Sequence, residues 1–377
     1  MKFIHFSDIR IGSPTESGRH WSDARQDERF RTLRRVLDYA RDTEADLILI
    51  AGGLFSHQPV TSEMDRVNAL FKDHADIQIV IIAGEPDCLK NSSPVRSYVW
   101  APNVHYILSG QVERVVLPEL KTEVCAASVT EEQGADPAIF GLADIKAFIT
   151  SRPSEGFTLE EIRSYTGRPV IRIAMLSGSD AETLTKTFDR TDFTYVAAGL
   201  GGNAKEILPG RIYSPGNLEP EAMQDGGSHG IYMGEADEET GELTEIHFVP
   251  MASASYIPLL IGVTRNSTAE ELSRMIAGEI RRRGEKNIYR LKLTGSRDPE
   301  QEFDLEGLKR EYRIAEIIDE TEPEYDFEAL FAEHPQDMIG YYIGTIVNSG
   351  KEMSEIERKA MYYGIDALLR SSEGGQE

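Results

Sequence analysis

Three short apolar runs, each closing on a polar or glycine-rich turn, constrain the fold of this chain more than any other feature. The first is Phe3-Ile4-His5-Phe6, which closes on Ser7-Asp8. The second, residues 46–51, closes on Gly52-Gly53, and the third, residues 77–83, on Gly84-Glu85-Pro86-Asp87. Short apolar runs without polar alternation read as strands buried on both faces, as in parallel sheets. Between them the period changes. Residues 28–41 carry Phe30, Leu33, Val36, Leu37 and Ala40 at helical spacing, and residues 61–74 read as a second helix with Thr61 at its start. Residues 1–83 therefore predict β-α-β-α-β around a parallel sheet. Ligands of open α/β sheets bind at the carboxyl ends of the strands, which makes Asp8 the first candidate functional residue.

Further along, residues 104–129 predict short strands that continue the sheet antiparallel or begin a second one. Residues 130–168 are polar and read as a long loop with one or two helices. Two more strands follow, 170–176 closing on Ser177-Gly178-Ser179-Asp180 and 193–198 closing on Gly199-Leu200-Gly201-Gly202. Late strands are expected around Tyr213-Ser214-Pro215-Gly216-Asn217, 230–234 and 243–249. The texture changes near residue 252. Residues 256–319 predict a small β-α-β-α-β unit, and the last fifty or so residues predict helices. One of these, 339–348, is apolar nearly all round and is expected to be buried. Its Gly340 and Gly344 suggest close helix packing, because the stretch is too short to span a bilayer. The expected domains are 1–252, 253–322 and 323–377.

Charge limits the partners. The chain carries a formal net charge of −24. Nucleic-acid backbones are bound through Lys and Arg, so an acidic chain needs its cations gathered on one face to hold DNA. Two stretches are locally basic: 25–41, with Arg29, Arg31, Arg34 and Arg35, and Arg281-Arg282-Arg283 with Lys286 and Arg290 nearby. Both are expected to be solvated helix surface. The triple arginine is the candidate for any nucleic-acid contact. Cys88 and Cys125 are the two cysteines and form no CxxC, so neither a cysteine zinc site nor a disulfide framework is expected. Nothing resembles a secretory signal and no apolar run is long enough for a membrane span, so a cytoplasmic protein is expected.

Five strand-closing turns then line up. They are Ser7-Asp8-Ile9-Arg10-Ile11-Gly12, Gly52-Gly53-Leu54-Phe55-Ser56 followed by Pro59, Gly84-Glu85-Pro86-Asp87, Leu176-Ser177-Gly178 and Gly199-Leu200-Gly201-Gly202. In order and spacing they resemble the motifs S-D-x-H-x-G, G-D-L-F-D, G-N-H-D, H-G and G-H-x-H of the calcineurin-like metallophosphoesterases. Within these the likeness is to the SbcD and YhaO type of DNA repair exonuclease subunit. The resemblance covers about residues 1–250. It implies an α/β (α+β) fold: a β-sandwich flanked by helices, with a small α+β cap domain and a helical tail.

The same resemblance implies a site that has lost its chemistry. Phosphodiester hydrolysis in this family uses two metal ions, about 3.5–4 Å apart, held by carboxylates and neutral imidazoles. The family's metal-holding positions fall here on Asp8, Arg10, Gly53, Glu85, Ser177, Leu200 and Gly202. Only Asp8 is retained, and Glu85 is a substitute donor. The bridging carboxylate position is Gly53, and the catalytic histidine position is Pro86. Asp87, the orienting partner of that histidine in the family, is left with a structural role in a turn or cap. Arg10 stays charged and is expected to pair with Asp8 in place of a metal. None of the eight histidines falls on a ligand position. His57 reads as a loop residue and His5 as a hydrogen-bonded sheet residue.

Three functions remain open at this stage. The first is a non-catalytic SbcD/YhaO-like subunit or scaffold, working with an SbcC/YhaN-type coiled-coil ATPase through its C-terminal helices, and as a homodimer. No cofactor is expected in that case. The second is an active exonuclease or phosphoesterase with a rebuilt site, holding two manganese ions through donors such as Glu85, Asp87, Asp180 or His57. The third is a regulatory binding protein that does not touch DNA.

Overall fold

The computed structural model describes residues 1–14, 17–132, 170–189, 191–347 and 354–373. The loop and helices expected over 130–168 lie, from residue 133 on, outside the described residues. The chain divides into two compact units, Met1–Tyr256 and Ile257–Glu377.

The first unit is built on two six-stranded sheets. The predicted β-α-β-α-β opening is present as β1 (Lys2–Phe6), α1 (Ser22–Asp42), β2 (Leu47–Ala51), α2 (Thr61–Lys72) and β3 (Gln78–Ile82). With β4 (Val104–Tyr106), the strands β1 to β4 run parallel side by side. The other edge is completed from far along the chain. β11 (Gly230–Ala236) pairs antiparallel with β1, Phe3 opposite Gly234, and β12 (Leu243–Pro250) pairs with β11. Residues 104–129 begin a second sheet, as expected, and also extend the first, but in parallel rather than in the antiparallel sense expected. β4 extends the first sheet, and β5 (Glu113–Leu117) and β6 (Thr122–Ala126) form an antiparallel pair that opens the second. That sheet continues through β7 (Ile171–Ser177), β8 (Tyr195–Gly199), β10 (Ile212–Ser214) and β9 (Lys205–Leu208), in that spatial order.

Side-chain alternation decides what each face covers. In β2, Leu47, Leu49 and Ala51 join Phe3, Val80 and Ile82 in a core shared with Val124, Ile173, Met175 and Tyr195 of the second sheet. Ile48 and Ile50 point the other way, into a core with Leu33, Val36 and Leu37 of α1 and Met64, Val67 and Phe71 of α2. The outer face of the second sheet packs on Leu184 and Phe188 of α3 (Ala181–Phe188). This is an α/β protein with two mixed sheets sandwiched between helices.

The second unit has its own core. β13 (Tyr256–Val263), β14 (Ile288–Arg297) and β15 (Ile314–Pro323) form a three-stranded sheet, with β14 and β15 parallel. Helices α4 (Ala269–Arg283) and α5 (Leu305–Glu311) connect them. Thr268 caps α4 through the Glu271 backbone N–H, and the Glu271 side chain returns the contact to the Thr268 N–H. Three helices follow: α6 (Phe327–Glu333), α7 (Met338–Val347) and α8 (Glu355–Glu373).

The expectation that α7 is buried needs correction. Ile339 and Ile343 pack with Met361 and Ile365 of α8 and with Phe327 and Leu330 of α6, while Met338 and Tyr341 are largely exposed. Two neighbouring helices shield only part of a helix surface. The close packing expected at Gly340 is present: a Cβ there would meet the carbonyl oxygen of His334, which closes α6, and a second close approach sets Gly364 of α8 against Tyr342 of α7. Among the described residues no helix is long and apolar enough to cross a membrane.

Candidate functional site

The turns after β1 and β2 are joined by their backbones. The N–H groups of Asp8, Arg10 and Ile11 donate to the carbonyls of Gly52, Gly53 and Leu54 at 2.8–2.9 Å. Asp8 and Arg10 sit at φ 51° and 50°, a left-handed conformation that is costly for residues with a Cβ. Asp87 ties in the third turn. Its carboxylate accepts from the N–H groups of Gly84 at 2.7 Å and of Gly53 and Phe55 at 3.2 Å. Burial pushes the Asp87 carboxyl up to about 7, against the pull of those three donors. Asp87 is therefore a clamp on the strand ends.

The space between the turns is closed. A Cβ at Gly53 would lie 2.5 Å from Asp8 Oδ1 and 3.0 Å from Asp8 Cα. A Cβ at Gly52 would lie 2.5 Å from Ser177 Oγ, and one at Gly84 would lie 2.7 Å from the Gly53 nitrogen. Ser177 is buried, with its hydroxyl directed at the Gly199 carbonyl. Leu200 leans on the outer core of the second sheet, and Gly202 is fixed by Asn217, whose side chain accepts its N–H at 3.2 Å.

What fills the acidic pocket is a set of arginines. Arg10 Nε donates to Asp8 Oδ1 at 3.1 Å, and Arg10 Nη1 donates to Glu221. Arg29 reaches the other oxygen of Glu221 at 3.3 Å and donates to the Ile9 carbonyl at 2.6 Å. Beside this string, Arg25 donates to Glu28 at 2.9 Å and to Glu219 at 3.2 Å. Three guanidiniums therefore hold four carboxylates, at the junction of α1, the turn after β1 and the segment after β10. Burial raises the Asp8 carboxyl above its usual range, and the Arg10 charge and hydrogen bond pull it back down.

For Arg25 and Arg29 this overturns the expectation that the cations of 25–41 are solvated surface, whereas Arg31, Arg34 and Arg35 are exposed as expected. Arg25 and Arg29 have no exposed area, because they continue the buried stripe of α1 formed by Thr32, Leu33, Val36, Leu37 and Ala40. The phase of the helix carried that signal. Glu219 and Glu221 were missed altogether, since their partners lie about 190 residues earlier.

The other candidates lie elsewhere. Glu85 is exposed and Pro86 half-buried. His57 covers Gly12 and faces Glu63 at 3.4 Å. His5 is a sheet residue whose Nδ1 meets the Tyr195 hydroxyl at 2.9 Å, and burial lowers its titration to about 3. Asp180 caps α3 by accepting the Thr183 N–H at 2.9 Å. Arg282 and Arg283 both pair with Glu279, and Arg281 lies 3.9 Å from Glu285.

No protein family matches the sequence, and no curated protein is similar to it. Among solved structures, that of TT1561 of Thermus thermophilus is similar at 16% identity, over 66% of this chain and 98% of that chain, with a TM-score of 0.33. So distant a likeness leaves the chemistry of the site to its own donors.

Those donors do not fit a two-metal centre, which needs carboxylate and imidazole ligands around both ions. Of the positions that the resemblance assigns to ligands, Gly53 and Gly202 have no side chain, Arg10 is a cation, and Ser177 and Leu200 offer a hydroxyl and a hydrocarbon. Among the described residues no group of three or more His, Cys, Asp or Glu side chains is placed to hold a metal ion. Replacing Arg10 by alanine is expected to cost about 1–2 kcal/mol and to raise the Asp8 titration further. Urea melts and carboxyl-carbon NMR check both. If neither moves, the pair is incidental.

Proposed function

We propose that this chain is a non-catalytic relative of the SbcD/YhaO-type exonuclease subunits. It keeps a metallophosphoesterase-like sandwich and acts as a subunit or scaffold. The observation that carries this reading is Arg10, whose guanidinium bridges Asp8 and Glu221 where the resemblance puts a metal ligand. A guanidinium satisfies carboxylates but neither coordinates a cation nor activates water.

The partner in this reading is a coiled-coil ATPase of the SbcC/YhaN type, bound through the C-terminal helices. Met338, Tyr341, Ile356 and Tyr363, at 71–81% exposure, support that assignment. Direct DNA binding by Arg281–Arg283 is disfavoured, since each has a carboxylate beside it.

Titration calorimetry of metal-free protein with manganese tests the reading, in enough salt to suppress weak binding at surface carboxylates. No tight binding is expected, and the heat should be the same for Asp8→Ala. Two tight equivalents that disappear in Asp8→Ala would replace this reading with that of a working metallophosphoesterase.

A further inference from the structure

The loop of residues 217–225 supplies Glu219 and Glu221 to the buried arginines, and His229 holds both of its ends. His229 is 2% exposed. Its Nδ1 lies 2.8 Å from the Asn217 carbonyl oxygen, and its Nε2 lies 2.8 Å from the Asp225 carbonyl oxygen. A carbonyl oxygen can only accept. A neutral imidazole has one N–H and one bare lone pair, so one of these contacts would set lone pair against lone pair at hydrogen-bond distance. Only the imidazolium donates to both. The chain at His229 is itself fixed, because its carbonyl accepts from the N–H groups of Met251 at 2.9 Å and Ala252 at 3.1 Å.

We infer that His229 is a proton-operated latch on this loop. Doubly protonated, it ties Asn217 and Asp225 together. On losing a proton it keeps one end and releases the other. The charged and titratable groups around it are already engaged. The Asp225 carboxylate accepts from Asn217 Nδ2 at 3.2 Å and from the Glu221 N–H at 3.0 Å. Glu219 is held by Arg25, Thr32 and Ser253, and Glu221 by Arg10, Ser13 and Arg29. From the neighbouring elements, Arg35 donates to the Met251 carbonyl and the Tyr256 hydroxyl donates to the Glu221 carbonyl at 3.1 Å. The proton on His229 therefore serves the two backbone carbonyls. The latch stands whether or not the arginine cluster has replaced metal ions, so its test is separate from the manganese titration.

The test is imidazole nitrogen NMR of the full chain at about pH 5.5 and about pH 8.5, on either side of the histidine range. Amide exchange of Leu218 and Glu221 is measured at the same two values. Both ring nitrogens should carry protons in acid and one should be bare in base. Corrected for intrinsic rates, amide protection should fall about tenfold more in the wild type than in His229→Gln, whose side chain does not titrate. Equal pH slopes in the two proteins would overturn the latch. So would a bare ring nitrogen in acid, a readout that needs no variant to fold.

Discussion

Replacing Arg25 by methionine is expected to destabilise the first unit by about 3–5 kcal/mol, the range for removing one partner of a buried ion pair. Arg25 has no exposed area, and its guanidinium serves Glu28, Glu219 and the Pro220 carbonyl. Without it Glu28 and Glu219 each lose a charged donor in a place where water cannot replace it. For a unit of this size the midpoint of thermal unfolding should fall by about 6–20 °C. Adding Glu219→Leu should recover part of the loss, because one buried carboxylate that Arg25 served is then gone. Thermal and urea melts of the two variants decide the matter. A cost below about 1 kcal/mol for Arg25→Met would mean that the pair behaves as exposed surface.

The second large effect is at Asp87. Asp87→Ala leaves the N–H groups of Gly53, Phe55 and Gly84 without their acceptor, at the point where three strand ends meet. Each orphaned donor costs about 1–3 kcal/mol before water enters, so a loss of about 3–5 kcal/mol is expected near pH 5. The pH dependence has a definite sign. Burial lifts the folded-state titration from 3.8 to about 7, so within that window the folded chain holds a proton that the unfolded chain has lost. Stability from this group is thus full in acid and is lost as pH rises through the window. The gap between wild type and Asp87→Ala should therefore shrink from pH 4 to pH 7. Urea melts at several pH values measure it, and a gap that widens instead would show that the three N–H groups hold the carboxylate charged.

Much of the scaffold was legible because it is local. The apolar runs at Phe3–Phe6, 46–51 and 77–83 and the helical spacing of Leu33, Val36 and Leu37 each declare an element within a few residues. The turns that follow were legible too, since Gly52, Gly53 and Gly84 mark strand ends. The character of the site was not. Arg25 and Arg29 look like surface until Glu219 and Glu221 are brought to them, and no local pattern announces a pairing across 194 residues. Asp87 was seen as structural, but its three backbone donors come from two different turns. On α7, the apolar composition suggested burial, whereas Met338 and Tyr341 face outward because α6 and α8 together cover only part of its surface.

The place of β1 inside its sheet also sets a timetable. One flank is closed early by β2, but the other waits for β11, whose Gly234 lies opposite Phe3. At roughly 5–20 residues per second, synthesis delivers that partner roughly 12–46 seconds after β1. Throughout that interval an apolar strand shows an open edge, the kind of surface on which nascent chains aggregate. A product that stops short of β11 is therefore no smaller working version of this unit. It is a client for chaperones, and expression of the chain should depend more on holding that edge safe during synthesis than on the stability of the finished sandwich.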